Sequence, residues 1–383
     1  MVCAMRSIRG CASRRNKRTM NKPTGTILLQ ADATYLRHSE ASLIQLADGR
    51  LLLAWSRFFN QAGEPNRAIE ATPSLPQYIQ TDNLKAHIAG MFSTDGGHSW
   101  SGERVLIENN AGLNVMSPAF ARLADGSVAL MYSHRDSSSS ACRMFCRSTD
   151  EGKTWSAPQP ITHSGYITAC HDRLTVLASG RIIAPLHTTE DWHAHYASVR
   201  IARSDDCGKT WQIGAPIQLP RVSDSGESGC NEPGVVQRAD GSLLLILRTA
   251  MGTIYRAESN DDGETWHDLR SLEVVAPVAP SLLRRIPNSN DLLLIWNWHY
   301  NWKESLGGVR RPLACAISTD GGNTWPWSRR KILEDDPDFT FSYPSCTFVG
   351  DNAILTYYVM KADEPAGARS LKLMRVPIKW FYE

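Results

Sequence analysis

Ser259-Asn260-Asp261-Asp262-Gly263-Glu264-Thr265-Trp266 decides the fold, because the chain writes this octet five times. The pattern S-x-D-x-G-x-[ST]-W returns at residues 93–100, 148–155, 204–211 and 318–325, and the closing tryptophans stand 55, 56, 55 and 59 residues apart. Each position has a turn-making reason. An Asp accepts hydrogen bonds from amides a few residues on, a Gly takes positive φ, and a hydroxyl satisfies further loop amides. The Trp supplies a large apolar plate to pack between neighbouring units. Near-constant spacing of one such turn marks a repeat architecture.

Outward from the octet, the preceding residues show a second signal. Cys230-Asn231-Glu232-Pro233-Gly234-Val235-Val236 leads to an Asp240-Gly241 turn, and the apolar run Leu243–Leu247 then delivers Arg248. Asp48-Gly49, Asp125-Gly126 and Ser179-Gly180 separate apolar runs in the same way, as hairpin turns do. Each unit therefore reads strand, turn, strand, loop, strand, octet, strand. Four antiparallel strands make the blade of a β-propeller. Five units carry the octet, and the segment from Phe341 through Met360 to Trp380 forms a sixth without it. The spacing predicts an all-β, six-bladed β-propeller with four-stranded antiparallel blades, the ring closed by Thr26–Gln30 on the last blade.

Composition limits the reading further. The chain has 383 residues, 42% of them hydrophobic, enough for a large core. No apolar run approaches the length that spans a bilayer. Residues 1–22 carry Arg6, Arg9, Arg14, Arg15, Lys17, Arg18 and Lys22 and no acidic residue. Without those seven, 34 basic side chains face 39 acidic ones, so the body is about −5 although the whole chain is +2. The basic balance belongs to the tail and makes no case for a nucleic-acid groove. That tail lacks the apolar centre of a secretory signal, so 1–22 is expected to be a disordered leader, with Met20 an alternative start, and 23–383 one propeller domain. Nine cysteines without framework spacing read as reduced thiols of a cytoplasmic protein. His187, His193 and His195 have no fixed ligand spacing, so neither metal nor cofactor is expected.

The repeat register also predicts a site. Seven residues before each hairpin turn stand Ala41, Pro118, Asp172 and Pro233, preceded by Glu40, Ser117, His171 and Glu232. Tyr343 precedes Pro344 in the sixth unit, and Ala279 precedes Pro280 in the fifth. These positions begin the innermost strands and should ring one mouth of the channel. The second strands end at the same face and bring Arg57, His187 and Arg248, while the octet turns lie opposite. Singly, a Glu at a strand start caps a turn, and an Arg at a strand end pairs with a neighbouring carboxylate. As a set, carboxylates, a tyrosine, histidines and arginines in one concavity point to an enzyme site for an anionic or polyhydroxylated ligand.

The octets and their spacing, over roughly residues 25–383, resemble the Asp-box repeats of the sialidase (neuraminidase) superfamily, which are six-bladed propellers. Asn231-Glu232-Pro233 followed by Asp240-Gly241 and Arg248 resembles the segment that carries a Glu and a substrate-carboxylate arginine. Phe341-Ser342-Tyr343 resembles the segment with the tyrosine nucleophile. Arg310-Arg311-Pro312-Leu313 resembles the R-x-x-L that supplies a second arginine, Arg310 in register and Arg311 as fallback. Asp82, eleven residues before Ser93, stands where such enzymes place an acid/base aspartate. The resemblance implies a sialidase-like exo-glycosidase acting on a terminal sialic acid or other acidic sugar, with Tyr343 as nucleophile, Glu232 as its base and Asp82 as acid/base. Arg248, Arg310 or Arg311, Arg57, Arg37, Glu40 and His171 would meet the sugar. The first strand departs from the family's R-I-P: Ser39 stands where the Arg is expected, Glu40 follows, and Arg37 comes two residues early. Two other readings stay open: a lyase in which Tyr343 and His171 move protons at a uronic acid, and a non-catalytic carbohydrate-binding propeller. A carbohydrate is the expected partner, with no nucleic acid and no membrane; the sequence is silent on oligomeric state.

Overall fold

A computed structural model describes residues 21–59, 82–191, 196–222, 227–304, 307–361 and 368–383. Residues 1–20, the Pro65-, Pro73- and Pro76-bearing stretch 60–81, and His193 and His195 lie outside the described residues.

The described chain is a β-propeller, and its strands follow the order that the turns dictate. The first unit is Arg37–Gln45, Leu51–Phe59, Lys85–Ser93 and Ser101–Ile107, each antiparallel to the next. The second, fifth and sixth units form sheets of the same kind. In the sixth, Thr26–Leu29 is the outermost strand, paired antiparallel with Ser370–Pro377, so the two ends of the chain meet in one sheet. The third and fourth units share a nine-stranded sheet, in which a short parallel pairing of Tyr196 with Ser228 and Ala197 with Gly229 joins Tyr196–Ser204 to Ser228–Gln237.

Second strands such as Leu51–Phe59 and Leu243–Thr249 are apolar on both faces because a neighbouring unit covers each face. Outer strands such as Ser101–Ile107 meet solvent and are polar. Six large apolar clusters each bridge two consecutive units, from Leu52 with Leu130 round to Ala41 with Ile354, which joins the last unit to the first. Each fully buried Leu stabilises such a cluster by about 1.5–3 kcal/mol.

The octet ties each unit to the one before it. In residues 259–266, Asp261 takes hydrogen bonds from the Thr265 amide at 2.9 Å and the Thr265 hydroxyl at 2.5 Å, and Ser259 Oγ accepts from the Gly263 amide at 2.9 Å. The same bonds recur in the other four octets. The glycine is required twice over. At Gly208 φ is +82°, and a Cβ there would stand 2.1 Å from the Phe145 ring of the preceding unit.

At the other end of the ring a second regularity appears. Glu40, Ser117, Glu232 and Tyr343 all have positive φ, between 44° and 56°, and each lies where the first strand's register breaks. Such a bulge bends the strand and re-aims a side chain out of the pleat. A non-glycine residue held there costs about 1–3 kcal/mol, which the surrounding sheet offsets. Two expected members of this ring are corrected. In the third unit the left-handed residue is Asp172 (φ 53°), one later than His171, and in the fifth no such residue precedes Leu282–Arg285.

Asp172 is a buried tie. It accepts from Ser42 Oγ at 2.9 Å, the Cys346 amide at 3.2 Å and Arg284 at 2.5 Å, while its own amide donates to Pro118 O at 3.0 Å. Four units are bound to this one residue beside the axis.

Candidate active site

The bulges bring the polar residues of the mouth into one cavity of about 140 Å³, lined by Arg37, Asp82, Glu227, Asn231, Glu232, Arg248, Arg310, Tyr343, Tyr358 and Arg369. Tyr343 Oη donates to Glu232 Oε1 at 2.6 Å, although the two lie 111 residues apart. Glu232 Oε2 accepts from Arg248 Nη1 at 2.6 Å, and Arg248 Nη2 meets both oxygens of Glu227 at 2.8 Å. The cross-strand pairing of Asn231 with Arg248 places this arginine beside the bulge that turns Glu232.

Electrostatics set the proton on the phenol. Burial pushes the Glu232 carboxyl up, but the Arg248 guanidinium and the hydrogen bond from the Tyr343 hydroxyl outweigh it and hold it below the usual carboxylate range. Burial and the Glu232 charge push Tyr343 well above 10, against the pull of Arg248 and Arg310. The pair at neutral pH is therefore a phenol donating to a carboxylate. His187, whose Nδ1 accepts from the Glu232 amide at 3.4 Å, is lowered to about 4 by burial and is neutral.

Arg310 forms the facing wall. Its Nη1 donates to Tyr358 Oη at 2.9 Å and Ser342 Oγ at 3.2 Å, its Nη2 to Val278 O at 3.1 Å, and its Cζ lies 5.7 Å from the Tyr343 ring centre. Tyr358 stacks on Tyr343 with ring centres 5.4 Å apart. Burial raises the Tyr358 phenol, but Arg310, Arg369 and Arg37 together bring it below 10.

The departure in the first strand has a structural consequence. Arg37, not Ser39, faces the cavity; its guanidinium pairs with Glu40 and Asp82, and its Nε donates to Ser39 Oγ at 2.7 Å. Glu40 is thus turned onto Arg37 and does not line the cavity. Desolvation raises Asp82, but Arg37, Arg369 and Arg135 outweigh it and keep this carboxyl below its ordinary range.

Three expected ligands are corrected. Arg57 pairs with Glu103 and donates from Nε to His87 Nε2 at 2.7 Å, so it is consumed outside the cavity. Arg311 is half-buried and takes no part in the lining, leaving that role to Arg310. His171 is fully buried with its ring 5.7 Å from that of Tyr343, and burial holds it well below its ordinary value, so it is a neutral support for the tyrosine.

Sequence reasoning missed Glu227, Tyr358 and Arg369 as site residues. The pairing of Ser342 with Tyr358 across two strands brings Tyr358 beside Tyr343, a signal available only once the register is known. Arg369 enters because its backbone bridges to Arg37 and His38. Neither residue stands in a repeat motif. Among the described residues, no group of three or more His, Cys, Asp or Glu could hold a metal ion.

Comparison with known proteins follows from this geometry. A family model described as BNR repeat-like domain matches residues 80–356. A sialidase of Bacteroides fragilis is 23% identical over 305 residues, which cover 70% of this chain and 53% of that protein. The chain thus spans about half the length of that curated relative. Among solved structures, a protein of unknown function from Dyadobacter fermentans superposes with a TM-score of 0.70 at 18% identity, over 94% of this chain and 99% of its own. A Hadza microbial sialidase gives 0.69 at 19% identity, over 93% and 68%. The NanB sialidase of Streptococcus pneumoniae gives 0.67 at 12% identity, over 94% and 71%. At these identities the structural likeness establishes the propeller fold.

Proposed function

The chain belongs to the BNR repeat-like domain family of the sialidase/BNR propeller superfamily, and from that premise we propose that it is a sialidase-type exo-glycosidase acting on an acidic sugar. The observation that carries this reading is the 2.6 Å bond from the Tyr343 phenol to the Glu232 carboxylate inside an arginine-walled cavity. A carboxylate nucleophile would repel an anionic sugar, whereas a neutral phenol does not. Tyr343 Oη attacks the anomeric carbon while its proton passes to Glu232 Oε1. The glycosidic C–O bond breaks, and the leaving oxygen takes a proton from Asp82. A water deprotonated by Asp82 then attacks the anomeric carbon, the bond to Tyr343 breaks, and Glu232 returns the proton to the phenolate.

Asp82 must be protonated for the first step, yet Arg37 holds it ionised in the resting site. A substrate anion placed beside Arg37 offsets that pull and raises Asp82.

Six blades are part of the same reading: the nine-stranded sheet divides into two at its short parallel junction, and six interblade clusters complete the ring. So are a single domain over 23–383, a dispensable leader before it, and a cytoplasmic setting in which the seven described cysteines stay free thiols. Beginning the protein at Met20 should leave melting temperature and activity unchanged.

The test is a panel of aryl glycosides, sialosides and uronides together, with product analysis. Release of the aryl alcohol with a saturated sugar is the expected result. An unsaturated, ultraviolet-absorbing product would establish a lyase, and binding without turnover across the panel would establish a carbohydrate-binding propeller.

A further inference from the structure

We propose that Asn114 and Arg135, both of the second unit, are positioning residues that pin the backbone of Asp82 and so hold its carboxyl at the leaving oxygen. This rests on the hydrolase reading for the task of Asp82. The pin itself stands on the geometry of one loop end.

Asp82 belongs to the link between the second and third strands of the first unit, and Lys85–Ser93 begins three residues later. Its carboxylate pairs with Arg37 of its own unit. Its carbonyl is held from the neighbouring one. Asn114 Nδ2 donates to Asp82 O and to Leu84 O, each at 2.8 Å. Arg135 Nη1 donates to the same Asp82 carbonyl, and its Nη2 donates to Asn83 Oδ1 at 3.4 Å. Asn114 and Arg135 face each other across the first two strands of the second unit, so one rung of that sheet reaches three consecutive residues of the loop. Both are buried, Asn114 completely. A buried amide that spends both its N–H groups on a neighbouring loop fixes the path of that loop.

The chemistry needs a pin on the backbone. Arg37 holds Asp82 as a carboxylate, yet Asp82 is an acid in the first step and a base in the second. Once protonated it carries no charge, and its attraction to Arg37 weakens. The bonds to its carbonyl do not depend on that proton. They keep the carboxyl in place in both protonation states, and a general acid acts only within hydrogen-bond reach of its target. The Asp82 side chain is 38% exposed and open to a leaving group, whereas neither Asn114 nor Arg135 lines the cavity. Arg135 has a second effect, through its charge. Burial raises the Asp82 carboxyl, and Arg37, Arg369 and Arg135 lower it. Asn114 is neutral, so replacing it tests placement apart from charge.

Two measurements test this. Hydrogen exchange of backbone amides follows the loop end. In Asn114→Leu, similar in shape and without a donor, the amides of residues 83–85 should exchange about tenfold faster, with those of 88–92 inside the sheet unchanged. No change at 83–85 overturns the pin. A rise spread over 88–92 overturns it too, by making Asn114 a support of the whole sheet.

The second measurement compares kcat/KM, which reports the first step, on the 4-nitrophenyl glycoside of N-acetylneuraminic acid and on 3′-sialyllactose. Nitrophenolate leaves without a proton, whereas the sugar alcohol must take one from Asp82. Asn114→Leu and Arg135→Met should lower kcat/KM on sialyllactose by roughly ten- to a hundredfold, and on the nitrophenyl glycoside by less than about threefold. Arg135→Lys, which keeps a donor for the Asp82 carbonyl, should recover most of the loss. Equal losses on the two substrates overturn the positioning role. Wild-type protein that cleaves neither substrate would instead refute the hydrolase reading, and amide exchange would still decide whether the second unit pins Asp82.

Discussion

Replacing Tyr343 by Phe removes one oxygen and leaves nearly everything else in place. The ring still stacks on Tyr358, at 5.4 Å between centres, and still faces Arg310 at 5.7 Å. The left-handed φ of 56° strains Phe and Tyr alike. What disappears is a 2.6 Å bond to a buried carboxylate, of a kind that contributes about 1.5–3 kcal/mol. Glu232 keeps its 2.6 Å contact with Arg248, so no bare charge is left, and the loss should fall at the low end of that range. For a domain of this size it lowers the melting temperature by only a few degrees. The sign with pH follows from Glu232, whose folded value is depressed below its ordinary 4.5, in part by the Tyr343 hydroxyl. That stabilisation is complete above about pH 4.5 and is lost as the pH falls through the folded value, so the deficit of the variant is full at pH 7 and shrinks in acid. Turnover behaves otherwise. Loss of the nucleophile should lower kcat by roughly a thousandfold or more, about 4 kcal/mol of barrier. Release of 4-methylumbelliferone under saturating substrate measures turnover, and differential scanning calorimetry at pH 7 and pH 4 measures stability. Turnover within about tenfold of wild type would refute the nucleophile assignment. A melting temperature lowered by 15 degrees or more would mark Tyr343 as a structural residue whose lost activity says nothing about chemistry.

Glu232→Gln should damage turnover almost as much as Tyr343→Phe, and the double variant scarcely more than the worse single, because the two groups act as one; additive losses would separate them. The octet carboxylates Asp206 and Asp261 are held at about 2, against an ordinary 3.8: burial raises both, most at Asp261, but the hydrogen bonds from Thr210 and Thr265 outweigh it. Their stabilisation is full above about pH 4 and is lost as the pH falls through 2, so the urea midpoint should decline in that window. The Asp206→Asn, Asp261→Asn double variant should show a shallower acid limb, and an unchanged limb would place the acid sensitivity elsewhere. Asp172→Ala strips acceptors from Ser42, Cys346 and Arg284 at once and should lower unfolding free energy by about 3–5 kcal/mol in urea titration. A loss under about 1 kcal/mol would show that the channel tie is dispensable.

How much was legible depended on whether a feature repeats. The octet glycine takes positive φ in every copy, and a Cβ there would press on the preceding unit, from 2.1 Å at Gly208 to 3.1 Å at Gly97 and Gly263; a requirement imposed at each step prints itself as a period. Glu232, Arg248 and Tyr343 were readable because the register places them at strand ends that share one face, whereas Arg310 was given only by the resemblance of Arg310-Arg311-Pro312-Leu313 to a family motif. Arg57 met the same rule and was misplaced, since the Glu103 and His87 that consume it stand on other strands of its own unit. His171 was one residue off because the bulge in the third unit falls on Asp172, and the equivalent positions are Glu40, Ser117, Glu232 and Tyr343, so no single residue type marks them.

By itself, then, the sequence determined the propeller repeat, the face on which the strand ends gather and the chemical kinds found there. These follow from local rules: turns need Asp and Gly, and sheets covered on both faces need unbroken apolar runs. Only the tertiary structure decided which partners surround each arginine of the cavity. Glu227 closes over Arg248, whereas Tyr358, Ser342 and Val278 accept hydrogen bonds from Arg310. An arginine carries the same charge wherever it stands in the chain, and what that charge can do is set by partners brought to it across the ring.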